Sequence, residues 1–202
     1  MISKILTLAL LVSSTAALGA SRDHAQWSKR RAQKSTYSGG VYYWGNKIET
    51  TNGTLSDGDS KVDLSGTGVE VGTGIELDGW ARLAGYGLYR NLSNGTDDTV
   101  FGPGAGLSFN LSFASPLVDL KFGAGTEISM LSRQTEGNTG KYTAQGGYAQ
   151  VSLERFVASN ISLELGYEAK HEGLTPKEKK DDQATVSLDT TSLWLGATFW
   201  MY

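Results

Sequence analysis

The stretch FGPGAGLSFNLSF, residues 101–113, decides the fold. Its odd positions are Phe101, Pro103, Ala105, Leu107, Phe109, Leu111 and Phe113; the even positions between them are Gly102, Gly104, Gly106, Ser108, Asn110 and Ser112. In an extended chain a period of two sends these sets to opposite faces. One face is apolar and aromatic at both ends, and the other is small or polar.

The next segment repeats the pattern. Val118, Leu120, Phe122, Ala124, Thr126, Ile128 and Met130 oppose Asp119, Lys121, Gly123, Gly125, Glu127 and Ser129. Ile161, Leu163, Leu165, Tyr167 and Ala169 oppose Ser162, Glu164, Gly166, Glu168 and Lys170, and Val69 to Leu77 alternates with Glu70, Gly72, Gly74 and Glu76. A strand near Trp80–Arg90 and one near Tyr142–Phe156 are less regular, the second suggesting a bulge at Gly146-Gly147. The first strand is expected from about Thr36 to Gly45, with Tyr37, Tyr42, Tyr43 and Trp44.

Between these segments, long polar connections (Asn46–Ser60, Asn91–Asp98, Ser132–Gly140, Glu172–Gln183) alternate with tight ones at Asp78-Gly79, Ala114-Ser115-Pro116 and Ala158-Ser159-Asn160. Four long and three short connections give eight strands, with both chain ends on the short-turn side. The expected fold is all-β: an eight-stranded antiparallel up-and-down transmembrane β-barrel over residues 36–202, standing in a bacterial outer membrane with N- and C-termini periplasmic.

Alternation alone leaves open which face is outside, because a soluble barrel shows the same period with an apolar interior. Three features favour the membrane. The polar faces are crowded with glycine, which suits a narrow lumen. Aromatic residues sit at strand ends, as interfacial girdles require. The chain ends on Phe199-Trp200-Met201-Tyr202 with no polar tail.

The 202 residues include 26 Gly, 3 Pro and no Cys, which excludes a disulfide scaffold or a zinc-thiolate site. A formal charge of -3 and a pI of about 5.4 give no bulk basic signal for nucleic acid. Residues 1–20 read as a secretory signal: Lys4, an apolar Ile5–Val12, then small residues up to Ala20. Residues 21–35 hold Arg22, Lys29, Arg30, Arg31 and Lys34 against Asp23, with Trp27 their only large apolar residue. They read as a disordered basic periplasmic lead-in, or as a segment touching anionic headgroups or another polyanion.

The exported signal, the eight-strand rhythm and the terminal Tyr202 resemble the small outer-membrane barrels of the OmpA transmembrane-domain and OmpX type. The resemblance covers residues 36–202 and rests on architecture, not on a motif. It implies a C-terminal strand read by the barrel-assembly machinery, a role carried here by Phe199, Trp200 and Tyr202. Counting back from Tyr202, however, Met201, Phe199, Ala197, Leu195 and Leu193 make the better lipid face. Either the strand is bulged or Tyr202 does not point outward.

For chemistry, histidine comes first. His24 is expected to be solvated in the lead-in. His171 is followed by Glu172 and Gly173, so it departs from the lipid A deacylase type, which pairs a His with a Ser two residues away. The palmitoyltransferase type's His-Asp-Ser set has no match either. Asp57, Asp59 and Asp63 lack calcium-loop spacing. Asn52-Gly53-Thr54 and Asn94-Gly95-Thr96 read as tight turns. Neither a catalytic site nor a cofactor is expected.

The polar faces carry Glu70, Glu76, Arg82, Asp119, Lys121, Glu127, Glu154, Glu164, Glu168 and Lys170. Eight strands enclose a lumen that side chains essentially fill, so these groups are expected to form an ion-paired plug. If the lumen conducts, the acidic excess favours cations. The expected role is structural or surface-interacting, in membrane integrity or adhesion. The alternatives are a narrow porin-like channel and, second, a lipid-modifying enzyme. Expected partners are outer-membrane lipids and lipopolysaccharide, the assembly machinery during biogenesis, and a possible surface ligand through loops 46–60 and 172–183.

Overall fold

The computed structural model describes residues 21–95, 97–135, 138–177 and 186–202. The signal segment 1–20 lies outside them. Helix α1 (Ser21–Ser38) precedes eight strands: β1 (Val41–Asp57), β2 (Ser60–Leu77), β3 (Ala81–Ser93), β4 (Asp97–Phe113), β5 (Asp119–Thr135), β6 (Asn138–Ala158), β7 (Ile161–Pro176) and β8 (Val186–Met201). Every strand pairs antiparallel with the next, and β1 pairs with β8 from Tyr42↔Met201 to Asp57↔Val186, closing the barrel. Closure leaves no sheet edge, the condition for strands to sit in lipid.

On each strand the outward residues nearest α1 are apolar. Leu193 to Met201 on β8, Val69 to Leu77 on β2 and Leu120 to Met130 on β5 present Leu193, Leu195, Phe199, Val69, Val71, Phe122 and Ile128, all substantially exposed. Such runs cover about nine residues, close to what a tilted strand needs to cross the hydrocarbon. Trp80 stacks on Phe109 at 5.4 Å near the helix end of the band, where an aromatic girdle belongs.

Beyond the band the strands continue, which corrects the expected long loops. Residues 46–57 are β1, paired with β2 up to Asp57↔Ser60 across a two-residue turn with Gly58 at φ 58°. Asn52-Gly53-Thr54 is therefore paired strand, not a turn. β3 and β4 run to Ser93 and from Asp97; β5 and β6 run to Thr135 and from Asn138; β7 runs to Pro176. Lys177 follows it, and residues 178–183 of the expected loop lie outside the described residues. The cause is a change of phase. Above Ile48, β1 turns Thr50 and Asn52 outward and Thr51 and Leu55 inward. Without an apolar outer face the stretch reads as loop, yet the ladder of backbone hydrogen bonds continues regardless of side-chain polarity.

This far section has its own core inside the barrel. Leu55, Leu64, Leu88, Leu92, Phe101, Leu131, Ala144, Leu174, Val186 and Leu188 cluster there, with Tyr86 and Tyr142 packed against them. Phe101 belongs to it, not to the outer face expected from its odd number. The register of β4 against both neighbours shifts between Phe101 and Gly104, so the two faces exchange there. Pro103, which cannot donate to a ladder, sits in the irregularity. β6 shows no irregularity at Gly146-Gly147; its shift lies between Phe156 and Ala158. β6 reads irregularly in sequence because its inward residues change from Ala144 through Ser152 and Glu154 to Phe156.

The largest departure is α1. Residues 21–38 are helical, so the disordered lead-in is corrected, and β1 begins at Val41 instead of Thr36. Ala25, Gln26, Lys29, Arg30, Arg31, Ala32, Gln33 and Lys34 are good helix formers, and Asp23 lies in the first turn, favourable to the helix dipole. Gly39, at φ 72°, ends the helix in the left-handed conformation.

Candidate functional site in the lumen

α1 buries a polar stripe. His24, Ser28, Arg31 and Ser35 are buried at spacings of four, three and four, with Trp27 partly buried between them. This is one face of a helix, and it closes the barrel mouth. His24, expected to be solvated, is 0% exposed: its Nε2 lies 3.2 Å from Asp119 Oδ1, and its Nδ1 accepts the backbone N–H of Phe156 at 3.0 Å. The Ser28 hydroxyl donates to Asp119 at 2.5 Å. Ser35 donates to the carbonyl of Glu76 at 3.0 Å and accepts from the amide of Gly79 at 2.8 Å, fixing the helix to the β2–β3 turn.

Arg31 is the centre of this seal. It donates to Glu154 at 2.5 Å, lies 3.4 Å from Glu76, and stands over the rings of Trp200 at 4.8 Å and Phe156 at 5.4 Å. Burial opposes its charge, but the Glu154 and Glu76 carboxylates outweigh that cost and hold its pKa above the ordinary value. Around it, Arg82 reaches Glu76 at 2.8 Å, and Lys121 bridges Glu154 at 3.2 Å and Glu164 at 3.3 Å. Ser162 and Ser152 donate to Glu154 and Glu164.

A second network lies deeper. Lys47 stands between Glu49, Glu70 and Glu168 at 3.5, 3.6 and 4.0 Å. Lys170 bridges Glu127 at 2.5 Å and Glu168 at 3.4 Å, and Arg90 pairs with Glu49. Inward aromatic rings share this layer and need glycine opposite them. A Cβ on Gly104 would come within 2.7 Å of the Tyr86 ring, and one on Gly125 within 2.7 Å of the Tyr148 ring. A polar cavity of about 150 Å³ lies among Tyr43, Lys47, Glu70, Arg82, Glu127 and Glu168.

The structure thus places Glu70, Glu76, Arg82, Asp119, Lys121, Glu127, Glu154, Glu164, Glu168 and Lys170 on the lumen side and brings each to an opposite charge or, for Asp119, to His24. Sequence reasoning missed Arg31, His24, Lys47, Glu49, Arg90 and buried Glu172. Lys47, Glu49 and Arg90 continue the inward alternation of their strands, which was the available signal. Lys47 pairs with Glu70 and Glu168 and Arg31 with Glu76 and Glu154, carboxylates of the acidic excess, whereas Arg90 pairs with Glu49.

The C-terminal residues divide. Phe199 and Met201 face outward, whereas Trp200 is 1% exposed and turned inward, donating from its indole N–H to Ser162 at 3.0 Å. The β8 ladder to β7 shows no register shift, so no bulge reorients it. Tyr202 follows the last strand, with the Arg30 guanidinium 5.5 Å from its ring centre; partial burial pushes its phenol up to about 12.

On the outer wall above the lipid band, His171 Nδ1 lies 2.6 Å from Asp189 Oδ1, both exposed. No group of three or more potential metal ligands occurs among the described residues.

No family model and no curated protein matches the chain. Among solved structures it is similar to Neisserial surface protein A (NspA), with a TM-score of 0.55, 17% identity, and 77% of this chain and 96% of that one covered. It is also similar to Ail, the attachment invasion locus protein of Yersinia pestis (TM-score 0.43, 14% identity, 79% and 98% covered). A third similar structure is the N-terminal β-barrel domain of Pseudomonas aeruginosa OprF (TM-score 0.39, 15% identity, 76% and 97% covered). At such identities the likeness is one of fold. The likeness in fold to NspA and the outward apolar band make this chain an eight-stranded transmembrane β-barrel of the outer-membrane type.

Proposed function

We propose that the protein is a sealed, non-conducting barrel with a structural or surface-interaction role, its α1 end in the periplasm and its far section standing outside the cell. The carrying observation is closure at three levels. α1 with Arg31 fills one mouth, the paired charges of the Lys47 and Lys170 layer fill the middle, and the apolar cluster around Leu92 and Leu188 fills the far end. An ion would have to break buried pairs and then cross an apolar layer. The far section then offers a rigid, β-structured support beyond the lipid for a surface ligand. It replaces the expected loop 46–60, which is paired strand.

Planar-bilayer recording tests the seal. The expected record is silence; steps that change when Lys121 or Glu127 is replaced would transfer the protein to the channel reading. Cysteine labelling of Ser56→Cys on intact cells tests the orientation, with labelling from outside expected.

One observation favours a second reading, a lipid-modifying enzyme. The His171–Asp189 pair is the base-and-orienter half of a hydrolytic constellation. No serine or threonine among the described residues hydrogen-bonds that imidazole. Mass spectrometry of lipid A from cells expressing the protein decides it: an altered lipid A that reverts with His171→Ala would establish the enzyme.

A further inference from the structure

The apolar band runs up β5 to Ile128 and Met130, both about half exposed. At its upper edge the outer wall holds a recess of about 320 Å³, formed where the β4 register slips. Its floor is apolar and backbone-lined, with Val100, Gly102, Pro103 and Met130; its rim carries Lys141 and Lys177. The two lysines are held together by the main chain, since the Lys177 amide donates to the Lys141 carbonyl at 2.9 Å. The Lys177 ammonium lies 3.8 Å from the Met130 sulfur. Among the described residues neither lysine has a carboxylate within ion-pair distance, whereas Lys47, Lys121, Lys170 and Arg82 in the lumen each have one.

Two ammonium groups with no carboxylate partner among the described residues, above an apolar floor at the height where hydrocarbon gives way to headgroups, match one chemistry. It is a phosphate on a lipid whose acyl chain continues down the wall. We propose that this recess binds the phosphorylated sugar headgroup of an outer-leaflet glycolipid, the phosphate between Lys141 and Lys177 and an acyl chain along Pro103, Met130 and Ile128. The site rests on the orientation proposed above, which puts the recess in the outer leaflet.

The test uses the full barrel refolded into phosphatidylcholine nanodiscs doped with lipid A or with enzymatically dephosphorylated lipid A. Native mass spectrometry counts the lipid retained. The wild type retains phosphorylated lipid A over the dephosphorylated form, and Lys141→Ala with Lys177→Ala lowers retention about 30-fold, at roughly 1 kcal/mol per surface lysine. A heat-dependent gel shift confirms that the variant is folded. Equal retention by the two proteins, or of the two lipids, overturns the site. Labelling of Ser56→Cys separates the causes. External labelling without phosphate-dependent retention overturns the site alone, while protection from the label overturns the orientation and the site with it.

Discussion

Around α1 the barrel is apolar outside and charged inside; beyond the lipid band the same strands are polar outside and apolar inside. The first section keeps its charges because each has a partner: Arg31 with Glu154, Lys121 with Glu164, Lys170 with Glu127. The second packs Leu92, Phe101 and Leu188 as a water-soluble barrel would. What differs is the solvent outside. Lipid removes the hydrophobic reason to bury apolar side chains, so the interior is left to polar groups, and water restores that reason a few residues further along. On β4 the exchange of faces coincides with a register shift at Gly102-Pro103. On β1 it needs only a change in which alternate residues are apolar.

The sharpest way to break the contrast is at the charged end. Arg31→Ala removes one of the two cations paired with each of Glu76 and Glu154, which keep Arg82 and Lys121, and is expected to cost about 3 kcal/mol. The same loss should shrink on a Glu154→Gln background, because the two changes remove one shared interaction. Urea unfolding in detergent, followed by the heat-dependent gel shift, measures both. At the far end Leu188→Ala leaves a cavity worth about 3 kcal/mol. It should open the far strands to protease while the membrane band stays intact, since Leu188 belongs to the far core and to none of the charge pairs.

The outer surface separates the two regions more finely. Ala197→Arg, midway along the apolar run of β8, is expected to cost roughly 2 to 3 kcal/mol. Thr191→Arg, outward on the same strand above the band, should cost less than about 0.5 kcal/mol. Folding yields into lipid vesicles across a urea series read the difference. Equal costs at the two positions would place the lipid boundary higher than the band described here.

Why some of this was legible in the sequence follows from the same contrast. Period two stands out where one face is apolar, as on β2, β4, β5 and β7, and with the order of the connections between them it is enough to specify eight strands. Glu164, Glu168 and Lys170 could be placed on one face because Leu163, Leu165 and Tyr167 defined the other. Lys47 and Glu49 follow the same rule, but of the outward residues around them Asn46, Thr50 and Asn52 are polar and only Ile48 is apolar, so the strand dissolved into an apparent loop. Arg31 and His24 were hidden for a different reason. A helix is recognised by an apolar stripe, and the buried stripe of α1 is histidine, serine, arginine and serine, legible only once the carboxylates opposite are known. Trp200 follows the alternation set by Phe199 and Met201 and faces inward, where Arg31 and Phe156 are its neighbours.

The seal also has a consequence in time. α1 precedes the barrel in the chain, yet its buried face touches the backbone of Glu76, the carboxylates of Asp119 and Glu154, and the ring of Trp200, partners contributed by β2, β5, β6 and β8. The His24 bond to Phe156 spans 132 residues. Contacts so distant in sequence form late, after the loops between them have closed. A segment synthesised before any strand therefore docks last, and a fully seated helix reports that the final strand has found the first.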